Sequence, residues 1–172
     1  DAIIEAQLTD GSNEIILGTS LGYSIRFSEE DVRQVGRTAR GVIGIRLKEE
    51  DRLIGADIID RNTKYILTVT ENGIGKKSEL SLYRYQSRAG KGLINIKINE
   101  RLGKVIGLVT LGEDEELILC SEQGKVVKIE STNIRPQGRA TQGVIIINLK
   151  EGDQLVSLEK VRSQEVENGD EE

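Results

Sequence analysis

The chain contains no histidine, tryptophan or methionine, and has one cysteine and one proline. The missing histidine removes the commonest general base, the usual triad member and the commonest metal ligand together, so enzymatic chemistry starts at a disadvantage. Cys120, the lone thiol, lies among apolar residues without a disulfide partner and reads as buried and inert. No apolar run approaches the ~18 residues that cross a bilayer, and no charged-then-apolar leader is present. The sequence therefore reads as a soluble, cytoplasmic protein with no membrane partner. Only 3% of residues are aromatic, so the core must be built from Ile, Leu and Val. The chain opens on Asp1 within a strand-like run, Ala2 to Leu8, and reads as a piece that starts partway through an array.

The formal charge is −5, which alone argues against a nucleic-acid partner. Residues 163–172, however, carry Glu165, Glu167, Asp170, Glu171 and Glu172 and no base, which leaves 24 acids against 24 bases in residues 1–162. The body is neutral and only the tail is acidic, so the placement of the bases matters more than their total. The tail reads either as a disordered solubilising end or as a competitor for a basic surface.

One design is written three times at a spacing of 51 residues. Gln86-Ser87-Arg88-Ala89-Gly90-Lys91-Gly92, followed by Leu93 to Ile98, matches Val35 to Leu47 upstream and Gln137 to Leu149 downstream. Before it stand β-forming runs, Glu14 to Thr19, Tyr65 to Thr70 and Glu116 to Ser121, each followed by a glycine turn at Gly22, Gly73 or Gly124. Asn72-Gly73 between two such runs is a strong hairpin signal. The expected returning strands are Tyr23 to Phe27, Ile74 to Ser78 and Lys125 to Ile129. After the glycine loop, Ile43, Ile45 and Leu47, with Ile94, Ile96, Ile98 and Ile145, Ile147, Leu149, alternate at period two and predict a strand with one buried face. A turn then leads to Leu53 to Ile59, Val105 to Leu111 or Leu155 to Lys160. Four short strands per unit of about 50 residues predict an all-β, propeller-type architecture. The repeats are placed at 2–54, 55–106 and 107–160 within a folded body of residues 1–162.

Stacking the copies aligns bases into columns: Arg33, Arg84 and Arg135; Arg37, Arg88 and Arg139; Arg26, Lys77 and Lys128; Arg46 and Lys97; Arg40 and Lys91. Scattered surface charge would not recur by column. Arginine suits phosphate because its planar fork donates two parallel hydrogen bonds, and glycine lets backbone N–H groups approach the same anion. These residues are the candidate nucleic-acid-binding set, a rim that follows a nucleic-acid backbone with little base information. The competing reading is solvated loop charge paired with acids such as Glu29, Glu30 and Asp31, none of which recurs in register.

Two other patterns are set aside. Gly73 to Ser78 resembles the end of a phosphate-binding P-loop, but Thr70 stands where the first glycine is required and Lys77 where Ser or Thr is required. The clusters Glu49-Glu50-Asp51 and Glu113 to Glu116 read as solvating turns, so no metal site and no catalytic residue is expected.

With these columns in view, the chain resembles the C-terminal domain of the bacterial DNA gyrase A protein. The resemblance rests on Ile25 to Arg33, Gly36 to Val42, Glu71 to Lys76, Gly92 to Lys97, Gly138-Arg139 and Thr141 to Val144. It implies a six-bladed β-pinwheel whose blades exchange strands and whose basic rim wraps double-stranded DNA. The family's box, Gln-Arg/Lys-Arg-Gly-Gly/Arg-Lys/Arg-Gly, is matched at Gln86, Arg88, Gly90, Lys91 and Gly92, with Ser87 and Ala89 departing from it. Those departures and the acidic tail imply a degenerate copy within the last three blades. The resemblance further implies a fragment without activity of its own or cofactors, in an enzyme whose ATP, Mg2+ and catalytic tyrosine act elsewhere. The implied partners are the rest of gyrase A and gyrase B in a heterotetramer at the bacterial nucleoid. The corresponding domain of topoisomerase IV and a protein-binding propeller scaffold are the alternatives.

Overall fold

The computed structural model describes residues 2–161. In the first repeat, β1 (Glu14–Thr19) and β2 (Tyr23–Ser28) form an antiparallel hairpin with Glu14 opposite Ser28 and Gly18 opposite Ser24. Gly22 closes the turn at φ 83°, a backbone that a side chain would strain. β3 (Leu53–Ile59) returns along the other side of β1, with a bulge at Gly18/Thr19. The second repeat repeats this order with β4 (Tyr65–Thr70) and β5 (Ile74–Glu79), and its last strand is β7 (Val105–Leu111). The third does so with β8 (Glu116–Ser121), β9 (Val126–Glu130) and β11 (Leu155–Lys160).

The fourth strand of a blade is borrowed. β6 (Leu93–Ile94) leaves the second repeat to pair with Tyr23 and Ser24 of β2, and β10 (Val144–Ile145) leaves the third to pair with Ile74 and Gly75 of β5. Among the described residues two four-stranded sheets and one three-stranded sheet result, in the orders β3-β1-β2-β6, β10-β5-β4-β7 and β11-β8-β9. This is the strand exchange of a pinwheel.

The core lies between blades as well as within them. Ile16 and Ile59 of the first blade bury against Ile66, Tyr83 and Leu108 of the second. Leu67, Val69 and Leu111 bury in turn against Leu117, Leu119, Leu155 and Leu158 of the third. Each such side chain is worth about 1.5–3 kcal/mol when removed from water. Backbone bonds reinforce the joints, with Val105 N donating to Ser20 O at 2.9 Å and Leu155 N to Glu71 O at 2.7 Å.

Several expectations need correction. Ala2 to Leu8 forms no strand; it runs exposed, with Gln7 Nε2 donating to Ala56 O at 3.1 Å. The strand expected after each glycine loop shrinks to two residues in the second and third copies and makes no ladder over Val42 and Ile43. Ile94 and Ile145, expected inside, are exposed, because the borrowed segment lies on a neighbour's edge and then leaves it. Ile96 and Ile147, beyond that point, are buried. The repeat limits 54/55 and 106/107 fall inside β3 and β7, so the units divide instead after Ile59 and Leu111. The acidic tail, residues 163–172, lies outside the described residues.

Candidate nucleic-acid interface

Each returning strand runs into a single-turn 3-10 helix: Glu29–Asp31, Leu80–Leu82 and Ser131–Asn133. Two residues later come Arg33, Arg84 and Arg135, all exposed, and then the glycine loop. Loops of successive repeats are laced together by their backbones. Ala89 N donates to Gly44 O at 2.6 Å, Arg46 N to Gly90 O at 2.8 Å and Lys97 N to Thr141 O at 3.1 Å. The three basic loops therefore form one continuous band across the blades, fixed by main-chain bonds.

Within the band the predicted cations divide into two groups. Arg33, Arg84, Arg135, Arg37, Arg40, Lys91 and Lys97 are exposed, and among the described residues their side chains make no hydrogen bond or ion pair. The others are bonded within the protein, most of them to a neighbouring blade and Lys128 to its own. Arg88, half-buried, donates through Nε to Asp31 O at 2.8 Å and through Nη1 to Ile43 O at 2.9 Å. One repeat on, Arg139 donates to Leu82 O at 3.1 Å and to Ile94 O. Donor and acceptors advance together by 51 residues, so this is a built joint that recurs.

The Arg26 column makes a second joint. Arg26 pairs with Glu14 and donates to Leu80 O at 3.3 Å and Tyr83 O at 3.0 Å on the next blade. Lys77, only 5% exposed, donates to Ser131 O at 2.7 Å in the equivalent place and lies over the Tyr65 ring at 4.8 Å. Lys77 is therefore corrected from a contact residue to an interior one, since its amine is enclosed and already bonded. Lys128 is exposed and pairs with Glu116 at 2.6 Å, and exposed Arg46 donates to Ala89 O at 2.9 Å.

The box copy is legible in the backbone. Ala89, at the glycine position, sits at φ 62°, and Gly92 packs where a Cβ would press on Ser24 O. Gln86 N donates to Arg26 O at 2.8 Å, while its side-chain oxygen is buried without a donor among the described residues.

Two polar groups behind the band carry no signal in any single copy of the repeat. Lys76 is fully enclosed, its amine donating to Ser78 Oγ at 2.7 Å and Gly138 O at 3.3 Å. Burial, with the nearby Arg139 guanidinium, lowers its pKa to about 7. Tyr83 donates to Asn95 Oδ1 at 2.6 Å, and Asn95 donates to Thr68 Oγ1 at 2.7 Å, which ties the segment after the 3-10 turn and the residue after β6 to β4; burial pushes the Tyr83 hydroxyl up to about 12. Only their comparison across copies could have found them, since Lys76 stands where the other repeats have Ile25 and Val127.

Strand-exchanging blades with a laced band of cationic loops define the class: a β-pinwheel domain with a basic rim. The sequence matches the family described as DNA gyrase C-terminal domain, beta-propeller, over residues 13–60, 64–111 and 115–162, and the chain belongs to that family. It is 45% identical over 160 residues to the DNA gyrase A protein of Haloquadratum walsbyi, covering 92% of this chain and 19% of that protein. It is 42% identical over 172 residues to the DNA gyrase A protein of Pseudomonas aeruginosa, covering 100% and 18%. The chain thus spans about a fifth of the length of these relatives. Among solved structures, a DNA gyrase A C-terminal domain superposes with TM-score 0.81 at 29% identity, covering 87% of this chain and 50% of that one. The C-terminal domain of a DNA topoisomerase IV superposes with TM-score 0.84 at 29% identity, covering 90% and 48%.

Proposed function

We propose that this chain is a DNA-wrapping element of a gyrase A protein, binding duplex DNA along the band of loops with little regard to sequence. The observation that carries this reading is the column Arg33, Arg84 and Arg135, exposed and without protein partners among the described residues, on loops whose backbones are bonded from blade to blade. Phosphate contacts from a fixed row of cations set the path of the duplex and leave base sequence unread. Bending that duplex favours sequences that deform easily. In the whole enzyme the wrap supports ATP-dependent negative supercoiling. ATP, Mg2+, the cleavage chemistry and gyrase B belong to parts outside this chain, in the bacterial cytoplasm. The comparable superposition on a topoisomerase IV domain favours a second reading, the same rim serving that enzyme.

Replacing Arg33, Arg84 and Arg135 by alanine is the test, because among the described residues none of the three supports the fold through a hydrogen bond or ion pair. Mobility shifts of linear duplex across a salt series should show the slope of log K on log salt fall by about 3 in magnitude. An unchanged slope, or retention of a protein partner with no DNA binding at all, refutes the proposal.

A further inference from the structure

Among the described residues, one aromatic ring is left unused by the protein itself. Phe27 and Tyr83 are buried, and Tyr23 and Tyr65 are half-buried, with Lys48 Nζ and Lys77 Nζ over their rings at 4.1 and 4.8 Å. Tyr85 is 54% exposed, and among the described residues its hydroxyl makes no hydrogen bond and no cation lies over its ring. It stands directly after Arg84, the unpaired cation of the second loop, and Leu82, three residues earlier, is exposed as well.

The backbone on both sides of that ring is fixed. Tyr83 N donates to Leu80 O at 2.9 Å before it, Gln86 N donates to Arg26 O of the preceding blade at 2.8 Å after it, and the Tyr83 hydroxyl is anchored on Asn95. The equivalent position one repeat on is Pro136, the chain's single proline, exposed after Arg135 and followed by Gln137 N donating to Lys77 O at 2.7 Å. The first repeat has Gln34 there. Two of the three free arginines are thus followed by a stiff, largely apolar side chain, exposed where the loop is clasped to the blade before it.

We propose that Tyr85 is a base-step contact of the wrapped duplex, a partial wedge entering from the minor groove, with Pro136 as its lesser copy. The inference rests on the reading that the band of loops binds DNA. A phosphate is met by charge and hydrogen bonds, and a phenol ring or a pyrrolidine beside the arginine adds little to that contact. Both offer apolar faces that suit sugars and base edges. A duplex carried round a rim must bend, and an apolar side chain pressed between base pairs from the minor groove opens one step and concentrates the bend there. Pyrimidine–purine steps open most readily. Tyr85 therefore gives the row of cations a preferred phase on the duplex: a TA or CA step settles at the second loop while the arginines on either side hold phosphates.

The chain has no tryptophan, so Tyr85→Trp places a single indole at the site. Titrated with linear duplex carrying TA steps one helical turn apart, its emission should be quenched by the bases and its access to acrylamide should fall. Tyr85→Ser should weaken binding of the same duplex ~10-fold, the loss of one base contact of the stacking kind. The slope of log K on log salt should stay as it was, since no charge is removed, and Tyr85→Phe should keep the affinity of the unaltered chain. The preference of that chain for this duplex over one of equal composition without TA steps should shrink in Tyr85→Ser. The position is exposed, so circular dichroism should be unchanged in all three variants. Equal affinity and equal preference in Tyr85→Ser, or an indole as open to acrylamide in the complex as in the free chain, overturns the wedge while salt-dependent binding through Arg33, Arg84 and Arg135 still stands. A chain that binds no duplex overturns both.

Discussion

Lys76 offers the sharpest test of how the blades are joined. Its side chain is 0% exposed and held by Ser78 Oγ and Gly138 O, in a place that takes Ile25 in the first repeat and Val127 in the third. Its pKa falls from 10.5 in the open chain to about 7 when folded. The folded value is the lower one, so between pH 7 and 10.5 the unfolded chain binds a proton that the folded chain does not. Stability therefore rises with pH across that window, by up to about 1.4 kcal/mol per unit, and is level below it. From pH 7 to pH 9 the gain is about 2–3 kcal/mol, or roughly 5–10 °C in melting temperature for a chain of this size. Lys76→Met keeps an unbranched stem without the charge but leaves two acceptors unpaired, at about 1 kcal/mol each. The variant should be the more stable protein at pH 6 and the less stable at pH 9.5. Urea unfolding followed by circular dichroism across that range reads the crossing, and the difference between the two proteins isolates Lys76 from the titrating groups they share, Tyr83 among them. Parallel curves for the two proteins would refute the buried charge.

Three further outcomes follow from the joints. Gly73→Ala should cost about 3 kcal/mol or more, because the Cβ meets Ile147 O on the segment that follows the borrowed strand. Gly124→Ala meets nothing within 4 Å among the described residues and should cost only the ~1–2 kcal/mol of its backbone, as chemical denaturation of both will show. Ala89→Gly should stabilise by about 1 kcal/mol by relieving φ 62°, read as a raised urea midpoint. Arg139→Gln removes a two-pronged bond to Leu82 O and Ile94 O and should cost about 1–3 kcal/mol of stability. If Arg139 instead served only as a phosphate contact, its loss would leave the unfolding midpoint in place and lower DNA affinity alone.

The eight strands closest to the repeat's alternating pattern were legible because each is local: the limits read for β1, β3, β4, β7, β8 and β11 agree with the observed spans, and β2 and β5 each run one residue further. What the sequence did not reveal is relational. Arg88 and Arg33 look equivalent in a row of residues, both basic and both beside a glycine loop, yet one bonds two carbonyls of the preceding blade and the other points to solvent. The difference is which residue lies across the joint, and nothing in a period of 51 encodes that. The borrowed strand was overread for a related reason. Ile94 and Ile96 share a parity, but the first lies on a neighbour's edge and the second beneath it, because Asn95 and Ile96 both turn their N–H groups to one carbonyl. Parity describes a strand only while the ladder continues.

Using arginine for both tasks has a mechanical consequence. A row of cations on independent loops would lose backbone freedom as well as side-chain freedom when it met a polyanion, and the first loss is about 1–2 kcal/mol for every residue ordered. Here the bonds from Ala89 to Gly44, from Arg46 to Gly90 and from Lys97 to Thr141 have already ordered the loops, and Arg88 and Arg139 hold them to the preceding blade. On the proposed DNA-binding role, association costs chiefly the rotamers of the exposed arginines, about 0.5–1.5 kcal/mol each. That role makes the stapling residues contributors to affinity that do not touch the ligand. Breaking a staple should therefore weaken DNA affinity through entropy while leaving the salt slope unchanged, whereas deleting an exposed arginine changes both. Arg139→Gln set beside Arg135→Ala in the same salt series separates the two, and equal slopes for the pair would show that the division between staple and contact is wrong.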